Sequence, residues 1–253
     1  MIWRDRILSA PVDRGRPEEM RESIVAKAAA RQSGHVCFAN VHALHRASKD
    51  REFLDALETS FLVAPDGMPV ARALSLVGPR QERWEGMSAF PQMMELAASR
   101  GIPIALFGSD RTTLDAVIAK AAIEIPGLRI VEAIAPPPGE LPFLDDDSHT
   151  SGLARCGAGI VFVALGCPKQ ELWMHGHRER VPAVMVGVGN ALRAWLGLEK
   201  RAPMWLRWLC LEWAFRFAQD PRRLWKRYLV SNSWFVFTGI PRLLARRFAP
   251  RPR

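Results

Sequence analysis

The chain has 253 residues, 49% of them hydrophobic and 24% charged, enough to bury one substantial core and too apolar for an intrinsically disordered protein. Its net charge of +9 is concentrated in the tail: residues 201–253 carry twelve Arg or Lys against Glu212 and Asp220, while the first 200 residues carry 23 basic and 24 acidic groups. Four widely spaced cysteines with no Cys-x-x-Cys pair exclude a disulfide scaffold and a zinc-finger framework, and read as reduced thiols of a cytosolic protein.

The opening segment, "MIWRDRILSAPVDRGRPEEM", lacks the apolar centre and small-residue cleavage site of a secretory signal. No run reaches the roughly 18 apolar residues a membrane-spanning helix requires, so a cytoplasmic location is expected. Apolar runs of strand length follow at 35–41, 60–64, 103–108, 128–134, 159–165 and 183–188. Stretches with helical spacing separate them, such as "SAFPQMMELAASR" and "RTTLDAVIAKAAIEI". This alternation predicts an α/β fold, a Rossmann-like, largely parallel sheet flanked by helices. The irregular stretch "PPPGELPFLDDDSH" is expected on the surface. Beyond Ala202 the strand pattern stops and helical segments rich in Trp and Arg take over. The expected organisation is an α/β body over 1–200 and a helical basic appendage over 201–253.

Polar and glycine residues gather at the predicted strand ends: Asn40, Asp66, then Gly108, Ser109 and Asp110, then Gly166 through Gln170 and Glu171, then Gly187, Gly189 and Asn190. In an open α/β sheet that edge is where a nucleotide or nucleotide-sugar sits. Asp66, in "FLVAPDGMPVARAL", has two readings: a cap for the helix that follows, or a carboxylate presented to a ligand. "GSD" lacks the Gly-Lys-Ser/Thr of a phosphate-binding loop, and "GVGNAL" lacks the third glycine of the dinucleotide fingerprint, so neither ATP hydrolysis nor NAD use has support. The acidic run "LDDDSH" reads as solvated carboxylates and a helix cap ahead of a metal site, and His42, His45, His175 and His177 lack a ligand cluster. Neither a metal nor a cofactor is expected. In the tail, Arg and Lys interleaved with Trp205, Trp208, Trp213, Trp225 and Trp234 fit nucleic acid, an anionic membrane surface, or a plain helical core. The greasy blocks of "SWFVFTGIPRLLARRF" favour the membrane.

Taken together, "FANVHAL", "APDGMPVARAL", "ERWEG", "ALFGSD", "ALGCPKQELWM", "GVG" and "KRAPMWLRWLCLEWAFRFAQDPRRLWKRYL" resemble the successive motifs of the WecG/TagA/CpsF glycosyltransferases, collinear from about residue 7 to residue 230. The resemblance implies an inverting hexosyltransferase of cell-surface polysaccharide biosynthesis. It would move N-acetylmannosamine, N-acetylmannosaminuronate or glucose from a UDP-sugar to an undecaprenyl-diphosphate-linked saccharide. It assigns the catalytic base to Asp66, in Asp-Gly-Met-Pro. An inverting transfer needs one base on the acceptor side and donors for the departing diphosphate. Arg83, and Arg216, Arg222 or Arg223 from the tail, are the candidate donors, with Asn40 expected to orient Asp66 or the acceptor. Gly67, Gly108, Ser109, Gly166, Gln170, Glu171 and Gly189 are the expected substrate-binding positions. The implied partners are the UDP-sugar, the lipid-linked acceptor and the inner face of the bacterial cytoplasmic membrane, reached peripherally through the tail. A homo-oligomer is also implied, and nucleic acid is not.

Two positions depart from the family pattern: Phe38 stands where many relatives have a small polar residue, and Leu192 and Arg193 follow "GVGNA" where a Phe-Asp pair is usual. Arg193 in place of an acid bears on which donor sugar is accepted. The rival from another class is a nucleotide-sensing module that binds membrane or nucleic acid without catalysis.

Overall fold

The structure, a computed structural model, describes residues 1–137, 139, 147–200 and 202–248. The first element is a hairpin that the sequence reading did not anticipate: β1 (Trp3–Ile7) pairs antiparallel with β2 (Ala10–Arg14). Its charged residues disguise it, because they are satisfied in pairs. Arg4 grips Asp13 through Nε and Nη2, both at 2.9 Å. Arg14, 1% exposed, donates to Asp5 at 2.7 Å and to the carbonyls of Pro79 and Leu74. A buried charge such as Arg14 holds only when it is also hydrogen-bonded, as here.

Six strands then form a parallel sheet: β3 (Gly34–Ala39), β4 (Leu62–Pro65), β5 (Ile104–Gly108), β6 (Ile130–Ile134), β7 (Ile160–Ala164) and β8 (Val184–Gly187), in the order β4-β3-β8-β7-β5-β6. All six overlap the apolar runs read from the sequence, and the α/β expectation is borne out. β4 is an edge strand, and the hairpin guards it: Asp13 Oδ2 accepts from Val63 N at 2.7 Å.

Side chains alternate between two apolar layers, as strands covered on both faces require. One face carries α2 (Val41–Ala47), α3 (Arg51–Glu58), α4 (Met68–Val77), α7 (Asp147–Arg155) and α8 (Lys169–His177), against strand residues such as Cys37, Ala39, Val163 and Met185. The other carries α1 (Pro17–Ala29), α5 (Gly86–Ser99), α6 (Arg111–Glu124) and α9 (Ala191–Trp195), against Val36, Phe38, Phe162 and Val186. Helix α5 starts two residues ahead of the predicted stretch and accommodates Pro91.

The tail forms α10 (Met204–Trp208), α11 (Glu212–Gln219), α12 (Pro221–Trp234), a π-helical turn (Phe235–Gly239) and α13 (Ile240–Phe248). The helical stretch "MWLRWLCLEWAFRFAQ" breaks at Cys210, whose φ of 62° is left-handed. The tail packs on the body: Phe235 and Leu243 are buried in the α2–α4 face, and His45 meets Trp234 edge-on at 5.2 Å. Burying side chains of this size contributes about 1.5–3 kcal/mol each. Arg246 Nη2 donates to Asp5 at 2.9 Å and Arg247 Nη1 to the Leu76 carbonyl at 2.6 Å, so part of the tail's charge is spent on the body. Among the described residues no helix is long and apolar enough to cross a membrane.

Candidate active site

Loops leaving β5 and β8 run to the α6 and α9 face, whereas those leaving β3, β4 and β7 run to the opposite one, opening crevices along the carboxyl edge. This is where parallel sheets bind ligands.

Two neighbouring strand ends supply the centre. β3 stops at Asn40, whose Oδ1 caps α2 by accepting from Ala43 N at 3.1 Å. β4 stops at Asp66, whose N–H donates to the Ala39 carbonyl at 3.0 Å. The capping position of α4 belongs to Gly67, at φ 83°, a conformation glycine adopts without strain. Asp66 is thereby released from capping, and its Oδ2 accepts from Asn40 Nδ2 at 3.3 Å. Both residues line a cavity of about 110 Å³, together with Gly67, Met68 and Pro69 from α4's start. Cys210, Glu212, Trp213 and Arg216, then Tyr228, Ser231 and Asn232, close it from the tail.

Burial raises the Asp66 carboxyl to about 7, with Glu85 and Glu212 pushing the same way and Arg216 and Asn40 opposing. Asp66 is half-buried, open to the cavity, and so able to exchange a proton with something in it. Glu212 links the cations. Its Oε2 accepts from Arg83 Nη1 at 3.2 Å and its Oε1 from Arg216 Nη2 at 2.9 Å. Arg216 also touches Met87 Sδ at 3.1 Å, and Arg83 reaches Glu85 at 3.5 Å. Burial works against the Arg216 charge, but Glu212 and Asp66 more than compensate and its pKa is raised.

Asn40, Asp66, Gly67 and Arg216 thus share one cavity, and Arg83 joins them through Glu212. The other named positions lie further along the carboxyl edge. Gly108 must be glycine, because at its φ of 105° a Cβ would stand 2.7 Å from the Ala164 carbonyl carbon. Ser109, also left-handed at φ 62°, donates its N–H to Ala164 O, and Asp110 caps α6 through Thr113 N at 2.8 Å. Gln170 is buried and fully engaged: Oε1 accepts from Gly166 N at 3.2 Å and Gly189 N at 2.9 Å, while Nε2 donates to Gly187 O and Glu171. It ties the β7 and β8 loops together, with Glu171 buried beside it. Arg222 is exposed on the first turn of α12, and the Arg223 side chain lies outside the described residues, as do Asp145 and Asp146 of the acidic run. Asp147 opens α7 and pairs with Arg180. Among the described residues no three His, Cys, Asp or Glu side chains cluster to hold a metal.

Sequence reasoning missed Glu85, Glu212, Tyr228 and Asn232, and read Trp213 only as part of the tail's aromatic and basic mixture. The one available signal was Glu212 and Arg216, four apart on an amphipathic stretch. A larger cavity, about 310 Å³, opens at the opposite edge of the sheet around Gly34, His35 and Arg178. None of the site residues named from sequence lines it, and it holds no counterpart of the Asp66–Asn40 pair.

A family model described as "Glycosyl transferase WecG/TagA/CpsF family" matches residues 6–249. An N-acetylglucosaminyldiphosphoundecaprenol N-acetyl-beta-D-mannosaminyltransferase of Bacillus subtilis (strain 168) is 34% identical over 208 residues, which span 81% of this chain and 79% of that protein. A protein of the same name from Bacillus spizizenii is 28% identical over 193 residues, 76% of this chain and 73% of its own. The extent of these matches shows that the chain belongs to the WecG/TagA/CpsF family of glycosyl transferases.

Proposed function

We propose that the protein transfers N-acetylmannosamine from its UDP-sugar, with inversion at the anomeric carbon, to a polyprenyl-diphosphate-linked N-acetylglucosamine in cell-envelope polysaccharide synthesis. The observation that carries this reading is Asp66, a carboxylate raised to about 7 by burial and paired with Asn40 in a cavity closed by Arg216. In the proposed step Asp66 takes the proton of the acceptor hydroxyl. The acceptor oxygen bonds to the anomeric carbon, and the bond from that carbon to the diphosphate oxygen breaks. A base poised near neutral pH suits this work. Arg216 and Arg83 receive the charge that develops on the departing diphosphate.

The sugar is taken from the names of the two relatives. Arg193, the departure that bears on the donor sugar, has its Nε 3.7 Å from Glu199. The tail is the proposed contact with the inner face of the membrane: Trp205, Trp208, Leu229, Phe237 and Phe248 are exposed beside basic residues. Apolar side chains enter such an interface while Lys and Arg meet anionic headgroups. We assign the 201–253 appendage this role together with completing the cavity.

The test is a panel of UDP-sugars offered with a short-chain polyprenyl-diphosphate N-acetylglucosamine, following UDP release and the anomeric configuration of the product. Acceptor-dependent release from UDP-N-acetylmannosamine with an inverted product supports the proposal. Release from another donor only, or a retained configuration, contradicts it.

A further inference from the structure

Glu212, which lines the cavity, comes from the tail and not from the strand edge. Its carboxylate oxygens accept from two guanidiniums: Arg83, from the loop ahead of α5, on Oε2, and Arg216, one turn along α11, on Oε1. Arg83 is in turn held by Glu85 and Arg216 by the sulfur of Met87, so body and tail interlock at this carboxylate. Glu212 and Arg83 are largely buried, with side chains 21% and 16% exposed, so the pair is poorly screened by solvent.

An arginine offers five N–H donors in a rigid fork. Among the described residues Arg216 commits Nη2 alone, to Glu212 and Met87, and it lines the cavity. Pinning that one nitrogen fixes the plane of the guanidinium and leaves its other edge for an anion.

We infer that Glu212 is a positioning residue: it docks the tail on the body and sets Arg83 and Arg216 side by side to receive the diphosphate of the sugar nucleotide. This rests on the proposed transferase reading. Catalytic geometry is unforgiving, since a misplacement of about 1 Å costs on the order of 100-fold in rate. Glu212 also faces Asp66, together with Glu85 and Arg216, and its negative charge opposes ionisation of that carboxyl.

The experiment compares the full-length wild type with Glu212→Gln and Glu212→Asp. Glu212→Gln retains size and polarity but loses the charge that holds both guanidiniums. We expect kcat to fall about 10- to 100-fold with the donor KM changed far less, the signature of support given in the transition state. Glu212→Asp recovers part of the loss. Loss of tail docking alone would lower activity in both variants alike, without the recovery by Asp.

Hydrogen exchange over residues 204–219 supplies a readout independent of turnover, and is expected to quicken in Glu212→Gln. Wild-type kcat in Glu212→Gln, or an equal loss in both variants, overturns the inference. Were the wild type inactive with every donor, the transferase reading would fall. Glu212 would then be judged by exchange alone: unchanged protection in Glu212→Gln would remove its docking role too.

Discussion

Asn40 Nδ2 donates to Asp66 Oδ2 at 3.3 Å, across the ends of two paired parallel strands whose register sets Ala39 opposite Pro65. The residue after each partner is the one that matters. The sheet itself therefore fixes the amide and the carboxylate as neighbours, and the loops behind them need only turn away.

Replacing Asp66 with Asn removes the proposed base while preserving shape. Loss of a general base costs about 10²–10⁴-fold in rate, so Asp66→Asn is expected to lose turnover by that factor. In the wild type kcat/KM rises with pH through about 7, as the carboxyl ionises. A pH–rate profile checks this, and a profile flat through neutrality contradicts it.

The same residue affects stability in the opposite sense. Its folded pKa is raised, so the folded state binds the extra proton between the ordinary carboxylate range and about 7, and stability falls as pH rises across that window. Asp66→Asn, which cannot ionise, should therefore melt at a higher temperature than wild type above about pH 8, and the difference should shrink toward pH 4. Melting curves at the two pH values decide it.

Asn40 performs two tasks that substitution separates. Asn40→Asp keeps a capping oxygen for Ala43 N but sets a second negative charge beside Asp66, so the acidic limb of the rate profile moves to higher pH. Asn40→Ala loses the cap as well, a cost of about 1 kcal/mol in stability. Equal pH profiles in wild type and Asn40→Asp would contradict the coupling.

Gln170 is expected to matter through the backbone it binds. Gln170→Ala removes this partner from Gly166 N, Gly189 N and Gly187 O, of which Gly189 N keeps a long bond to the Val163 carbonyl, and a buried polar group left unsatisfied costs about 1–3 kcal/mol. A fall in denaturation midpoint is predicted for Gln170→Ala, larger than that for an exposed control such as Arg222→Ala. Equal midpoints would show the network to be dispensable.

The body was legible from sequence because its signals are local. Strands buried on both faces read as continuous apolar runs, and Asn40 and Asp66 stand where those runs end. The β1–β2 hairpin was not legible, since Arg4, Asp5, Asp13 and Arg14 look like a solvated segment until each charge is seen to meet its partner. The tail was read correctly as helical, but its role in the cavity was not visible in spacing: Glu212, Tyr228 and Asn232 approach Asp66 only through the packing of α11 and α12 against the body. Composition marked Trp and Arg there. It could not single out Arg246 and Arg247, which bond to the body, from the other basic residues of the tail.

The central claim is that Asp66 deprotonates the acceptor hydroxyl. The most direct measurement is single-turnover UDP release from UDP-N-acetylmannosamine by wild type and Asp66→Asn, each with and without the lipid-linked acceptor, across the pH range around 7. The account predicts acceptor-dependent release in the wild type that grows with pH and is lost in Asp66→Asn, with donor binding retained. Comparable acceptor-dependent release from the variant would contradict it.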